Sequence, residues 1–284
     1  MIPLLDRYQF VTPASLTAVL DDLARHPAAR PFAGGTDLMV VLESGHLPPG
    51  RYVSLQNCRE LLGIEEAAGA LVIGALVTYT AVGKSVLLAR RHSLLGLAAR
   101  ETGGLATQNR GTIGGNIANA SPAADTPPAL LAYDAQLELM SLGGTRRVPY
   151  ADFHRGYKQM DLAPGELIAR IHLPPRQDGW RDYYRKVGTR RAQAISKVCF
   201  AGAILMEGDR VTDVRIALGS VAPTVVRATL TEEMLRGKRL DAETLSVAEK
   251  ALASEIAPID DIRSNAHYRG RVAGNLLREF LAPA

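Results

Sequence analysis

The chain has 284 residues, 47% of them hydrophobic and 22% charged, with a net charge of +4. That composition supports a sizeable core spread over one large domain or two to three smaller ones, and it argues against disorder. The mild charge, with no dense Lys/Arg block, disfavours a nucleic-acid footprint, and no apolar run approaches the roughly 20 residues of a membrane span. The opening MIPLLDRYQF mixes an acid and a base and lacks a long apolar run, so neither an export signal nor an anchor is expected there. Cys58 and Cys199 stand alone and far apart, which gives no cluster within one chain and suits a reducing compartment. A soluble cytoplasmic protein is expected.

In chain order, Thr12–Pro13 opens an amphipathic helix carrying Leu16, Val19, Leu20 and Leu23, which ends near His26–Pro27. RPFAGGTDLMVVL, residues 30 to 42, reads as a short strand, a tight turn at Gly34–Gly35, and a helix from Thr36 or Asp37. Arg51–Gln56 and Ala70–Leu76 are strand-like. Helices are predicted over Thr80–Arg90, with Val82, Val86 and Leu87 on one face, and over Leu94–Glu101.

The stretch from Thr102 to Asp125, TGGLATQNRGTIGGNIANASPAAD, holds five glycines among Thr, Asn, Gln and Ser. It is expected to form a long functional loop that does not fill a core. Glycines let backbone approach a ligand closely, and consecutive N–H groups in such turns make an anion-binding concavity. A helix is expected from Ser121–Pro122 or Asp125–Pro127, whose positive end favours a phosphate group. Since Gly and Asn also dominate ordinary turns, the competing reading is a plain surface loop. Two glycine turns, each meeting a helix start, favour a shared ligand.

A short helix is predicted over Ala129–Ala132, then strands over Gln136–Ser141, Arg146–Pro149 and Glu166–Leu173. A boundary falls at Pro174–Gly179. Beyond it come strands at Asp182–Val187, Lys197–Glu207 and Val211–Ser220, and helices at Asp241–Glu255 and Asp260–Leu281. Tyr268, Val272, Leu276 and Phe280 form a stripe read as core packing. Strands followed by helices indicate an α+β arrangement.

No two glycines lie two residues apart, so no GxG of a dinucleotide fingerprint exists. Gly83-Lys84-Ser85 ends like a Walker A loop, but Thr78 stands where its first glycine belongs, and Lys84 reads as a solvated helix residue. His26, His46, His92, His154, His172 and His267 make no metal-spaced pair and read as surface or loop residues. Without a GxSxG elbow, or a base beside Ser121, a hydrolase is disfavoured. The cluster Arg185 to Arg191 sits before an apolar run, where a cation could lie beside an electron-rich ligand.

AGGTD at Ala33–Asp37, GTIGGNIANASPAAD at Gly111–Asp125, ELIARIHLP at Glu166–Pro174 and KVGTRRAQAISKV at Lys186–Val198 occur in that order. With them the chain resembles, over nearly its whole length, the flavin-binding subunit of molybdenum hydroxylases. That group includes the FAD subunit of xanthine dehydrogenase and the medium subunit of carbon monoxide dehydrogenase. The resemblance implies an α+β chain. Its FAD-binding domain would have two subdomains of the vanillyl-alcohol-oxidase-like (PCMH) type, followed by a small C-terminal domain of sheet plus helices. The divisions would be residues 1–175 (about 1–57 and 58–175) and 176–284.

The resemblance further implies that Arg30, Pro31, Phe32, Ala33, Gly34, Gly35, Thr36, Asp37 and Leu38 form the first FAD loop. Thr112, Ile113, Gly114, Gly115 and Asn116 would form the second, with side-chain contacts from Asn119, Ser121 and Asp125. Ile168 would pack on the isoalloxazine ring, and Lys186 would bias its charge or potential. Many relatives carry Gln-Ile-Arg where this chain has Ala106-Thr107-Gln108, which removes any contact owed to that arginine. The cysteine-bearing insertion of relatives that reduce aromatic thioesters has no counterpart here.

By the same resemblance the chain would be an oxidoreductase subunit, active only in a complex. It would pass electrons from 2Fe-2S clusters on one partner, fed by a molybdopterin-binding large subunit, through FAD to an acceptor such as NAD. The alternatives are a free-standing FAD oxidase of a small substrate and a binding module that has lost its cofactor. The first lacks an evident substrate base, and the second is opposed by intact glycines in both turns.

Overall fold

The computed structural model describes residues 7–282, so MIPLLD, part of the opening that disfavours an export signal, lies outside the described residues. The chain builds three main sheets. The first is parallel, with strand order Tyr8–Val11, Gly50–Ser54, Arg30–Phe32. The helix Leu16–Arg25 crosses over it and buries Leu16, Val19, Leu20 and Leu23 against Val53, Leu55 and Leu61. Its cap is Ser15, whose Oγ accepts the Ala18 N–H at 3.2 Å, three residues beyond the expected Thr12–Pro13 start.

The second sheet is antiparallel, in the order Ile64–Ala67, Ala70–Gly74, Leu167–Leu173, Gln136–Ser141, Gly144–Pro149. Its core packs Ile73, Leu137 and Ile171 against Leu94, Leu95, Ile113, Ile117 and Leu130 from the helices. The third sheet, also antiparallel, runs Trp180–Val187, Val198–Glu207, Arg210–Gly219, Val226–Arg227.

Its second strand, VCFAGAILME, is apolar almost throughout because both its faces are covered. Phe200 and Ile204 face the closing helices Ala242–Glu255 and Ala266–Leu281, while Ala201 and Ala203 join the core of the second sheet. Small side chains there let the helix Pro127–Ala132 lie close on the strand. Gly202 leaves room for Phe280, whose ring would stand 2.8 Å from an added Cβ.

Several sequence expectations give way. Thr80–Arg90 is not one helix: Tyr79–Lys84 ends at Ser85, whose Oγ then caps Val86–Arg91, and Val86 is 66% exposed. The central stretch is not a structureless loop. It contains the helices Leu105–Arg110 and Ile113–Ala118, and Ile113 and Ile117, one turn apart, are fully buried. Burying that pair outweighs the poor helix propensity of Gly, Asn and Thr around it.

His92 and His172 are core residues rather than surface ones. His172 Nε2 stands 2.9 Å from the Glu138 carboxylate, and His92 Nε2 donates to the Pro174 carbonyl at 3.2 Å. The strands Tyr8–Val11 and Ile64–Ala67, the hairpin His154–Gly156/Gln159–Met160 and the helix Thr229–Leu235 had no clear sequence signal. Tyr268 lies at the edge of its stripe, 40% exposed, whereas Leu276 and Phe280 are buried as expected. No helix among the described residues is long and apolar enough to cross a membrane.

Candidate cofactor site

The strand Arg30–Phe32 ends in a turn through Gly34 and Gly35, and the helix Leu38–Glu43 follows at once. Gly35 has φ +71°, the left-handed region that a side chain strains. The second glycine turn meets this one directly. A Cβ on Gly34 would lie 1.8 Å from the Arg110 carbonyl oxygen, so only glycine permits that contact. Two polar links join the turns: Arg110 Nε donates to Gly34 O at 3.4 Å, and Asn119 Nδ2 donates to Asp37 Oδ1 at 3.3 Å. Segments some 76 residues apart in sequence thus make one surface.

The two turns use their backbone differently. Among the described residues, no backbone or side-chain acceptor takes the N–H of Gly34, Gly35, Thr36 or Asp37. Four successive donors therefore remain for a ligand, which is what an anion cradle requires. In the second turn the donors are spent on the protein. Ile113 N–H goes to Val77 O and Gly114 N–H to Ala75 O, both at 2.9 Å, and Gly115 N–H goes to Thr112 Oγ1 at 3.1 Å.

Glycine serves packing at two of these places. A Cβ on Gly111 would meet the Tyr79 ring at 2.6 Å, and one on Gly114 would meet the Ala75 Cβ at 2.6 Å. Gly115 is exposed and would touch only Thr112 Oγ1, at 2.9 Å.

Beyond the turns, the run Ser121–Asp125 is held from the third sheet and the residues that flank its strands. Ser220 N–H donates to Pro122 O at 2.8 Å, Ser196 Oγ to Ala123 O at 3.1 Å, and Tyr184 Oη to Asp125 O at 3.1 Å. No helix starts at Ser121. The one that follows is Pro127–Ala132, and no side chain caps it. Ser121 Oγ accepts the Ala123 N–H at 3.3 Å.

Asp125 is free for another task. Its Oδ2 lies 2.7 Å from Lys186 Nζ, which also donates to Glu101 O at 2.8 Å. Lys186 is thus the buried member of the basic cluster, while Arg185, Arg190 and Arg191 are exposed. Burial pushes the Asp125 carboxyl up to about 6, against the opposing pull of Lys186. Its Oδ1 is buried without a partner among the described residues. A buried carboxylate oxygen left unpaired in this way is rare in folded proteins.

Ile168, on the strand Leu167–Leu173, is 6% exposed and shares the main core. In the first turn's strand, Arg30 donates to Tyr52 Oη at 3.0 Å, Pro31 is exposed, and the Phe32 ring meets Phe10 edge-on at 6.1 Å. Lys158, which the sequence analysis does not single out, lies against the second turn. Its amine donates to Asn119 O and, at 2.7 Å, to Asn119 Oδ1. Nothing in the local sequence marks that lysine.

Residues 6–176 match the family described as the FAD binding domain in molybdopterin dehydrogenase, and residues 183–284 match the CO dehydrogenase flavoprotein C-terminal domain. The chain belongs to this flavoprotein family. It is 32% identical over 265 residues to the glyceraldehyde dehydrogenase medium chain of Sulfolobus acidocaldarius, covering 93% of this chain and 94% of the relative. It is 32% identical over 260 residues to the carbon monoxide dehydrogenase medium chain of Afipia carboxidovorans, covering 90% and 88%. A solved carbon monoxide dehydrogenase from Hydrogenophaga pseudoflava superposes with a TM-score of 0.92 at 29% identity, covering 96% of this chain and 95% of that one. The architecture is therefore the PCMH-type FAD-binding domain with its C-terminal domain, and the cofactor is FAD.

The residues present fit that cofactor. Free N–H groups at Gly34–Asp37 suit a diphosphate.

Proposed function

We propose that this chain is the electron-transfer subunit of a multi-subunit molybdenum hydroxylase. It would stand between iron–sulfur clusters on one partner, fed by a molybdopterin-binding large subunit, and an external acceptor such as NAD. The observation that supports this reading is the pair of joined glycine turns, with no group of metal-ligating side chains among the described residues. Cys58 and Cys199 are both fully buried, in separate surroundings, and burial raises both thiols, so neither is placed to ligate iron. Two free thiols also suit the cytoplasm, where we place the protein.

FAD, when bound, supplies the redox chemistry, and the chain supplies binding and electrostatics. Gly34, Gly35, Thr36 and Asp37 offer N–H donors to the diphosphate, and Asn119 ties the two turns together. Thr112 and the Ala75–Val77 segment fix the second turn, so that Gly115 presents a face without a side chain. Lys186 holds positive charge at the ring end, and Asp125 fixes where that charge sits. We take residues 1–175 as the FAD-binding domain and 176–284 as the C-terminal domain, since the second and third sheets meet just after the strand ending at Leu173.

Co-expression with chains bearing four-cysteine iron–sulfur motifs and a large molybdopterin-binding subunit tests the reading. One assembly should co-purify, and substrate should bleach its flavin. The isolated chain should show no such bleaching. Turnover of a small substrate by the isolated chain with oxygen alone would make a free-standing oxidase the better account.

A further inference from the structure

A cofactor diphosphate carries two negative charges, whereas backbone N–H groups supply only partial positive charge. The first turn adds an anion of its own at Asp37. A cation is therefore needed at this end of the site, and two flank it. Arg110 is exposed and reaches the Gly34 carbonyl at 3.4 Å. Lys158 is exposed too, but its amine is held by two acceptors.

Lys158 sits at the tip of the hairpin His154–Gly156/Gln159–Met160. The hairpin is pinned to the second glycine turn through His154, whose Nε2 donates to the Ile117 carbonyl at 2.9 Å. Nδ1 of the same ring then accepts from Tyr150 Oη at 3.3 Å, and burial lowers the ring's pKa, in keeping with a neutral tautomer of this kind. Lys158 itself has φ +57°, left-handed backbone on a residue other than glycine. Strain of that sort persists where surrounding structure over-determines it, and it gathers at ligand clamps.

The ammonium group has three donors. Two rest on Asn119, at its carbonyl and at Oδ1. Among the described residues no acceptor takes the third. Asn119 in turn donates to Asp37, so a continuous link runs from the hairpin to the end of the first turn.

We propose that Lys158 is a further cofactor-binding residue, the cation that pairs with the FAD diphosphate. Asn119 holds the amine in place and the hairpin carries it over the joined turns. The proposal rests on FAD binding at the first turn and assigns to that site a charged partner from a distant element.

Flavin fluorescence titration of the cofactor-stripped full chain tests it, with FAD and riboflavin as separate ligands at low and high salt. Riboflavin lacks the diphosphate and reports the ring end alone. In Lys158→Met and Lys158→Gln, FAD should bind about tenfold more weakly than in the wild type, as for loss of one charge-assisted hydrogen bond. The salt dependence should shrink, and riboflavin binding should not change. Lys158→Arg should restore most of the affinity. Thermal melts of the stripped chains would show whether each variant is folded.

Full FAD affinity in Lys158→Gln, with loss only in Lys158→Met, would mean that Lys158 merely props Asn119. Equal weakening of FAD and riboflavin would overturn the proposal as well. A wild-type chain that takes up no FAD would instead overturn the cofactor reading, and that result is visible before any variant is made.

Discussion

Gly34→Ala is the sharpest test of whether the two turns form one site. The new Cβ would lie 1.8 Å from the Arg110 carbonyl oxygen and 2.5 Å from its carbon. Ordinary carbon-to-carbonyl-oxygen contacts are about 3.3 Å or longer, so the turns must part by about 1.5 Å. Both sides of the clash are backbone, and no rotamer change relieves it. Parting breaks the two links between the turns, Arg110 to Gly34 and Asn119 to Asp37, which at 3.4 and 3.3 Å have no slack. Overpacking of this kind costs about 3 kcal/mol.

Gly35→Ala is the control. Its Cβ would find only Met39 Cγ, at 4.0 Å, so its cost is the φ of +71° alone, about 1–2 kcal/mol. Urea melts of the stripped proteins, with the flavin-to-protein absorbance ratio after gel filtration, should rank Gly34→Ala below Gly35→Ala on stability. Gly34→Ala should also lose its flavin. Wild-type stability and full flavin content in Gly34→Ala would show that the turns need not touch.

Lys186→Met keeps most of the side chain's stem and deletes the charge. The flavin potential should fall by about 30 mV or more, equivalent to about 1.4 kcal/mol over two electrons, and an unchanged potential would place the cation away from the ring. In the cofactor-free chain, the folded state holds the Asp125 proton more tightly than the unfolded state, with a pKa of about 6 against 3.8. Relative to Asp125→Asn, the wild type should therefore lose stability as pH rises from about 4 to about 6 and stay level above it; a flat difference across that window would refute the assignment. Arg176 lies between the Tyr133 and Trp180 rings, at 5.1 and 4.6 Å, and pairs with Asp182 at 2.6 Å, both side chains nearly buried. Arg176→Ala leaves the Asp182 charge with only the Ser93 and Tyr133 hydroxyls and should cost about 3 kcal/mol in urea melts, whereas a loss below about 1 kcal/mol would mean that those two donors suffice.

Much of the geometry of the two turns is legible because its demands are local. A Gly-Gly turn between a strand and a helix declares itself, and Gly34 and Gly35 carry the close approach and the positive φ that the pattern suggests. The long central stretch misled for the same local reason. Its Gly, Asn and Thr content reads as loop, yet Ile113 and Ile117 are drawn into helix by a core assembled from Ile73, Leu94 and Leu137. His92 and His172 looked solvated because their partners, the Pro174 carbonyl and Glu138, lie 82 and 34 residues away. Lys186 was singled out through its motif, but its burial against Asp125, 61 residues distant, had no sequence signal.

The two glycine turns divide the work in a way that glycine counting cannot reveal. Ile113, Gly114 and Gly115 spend their donors on Val77, Ala75 and Thr112, so the second turn is a rigid wall. The first turn keeps its donors, and α-helical structure resumes only at Leu38. A wall with satisfied hydrogen bonds keeps its shape with or without a ligand, whereas a run of four unmet N–H groups is tolerable only where water or a ligand reaches it. Cofactor affinity should then be concentrated at the first turn and at the charged groups around it, with the second turn setting geometry. Asp37, Asn119 and Lys158 meet at the seam between them, from three parts of the chain, and the proposed pairing of Lys158 with the diphosphate would balance charge there.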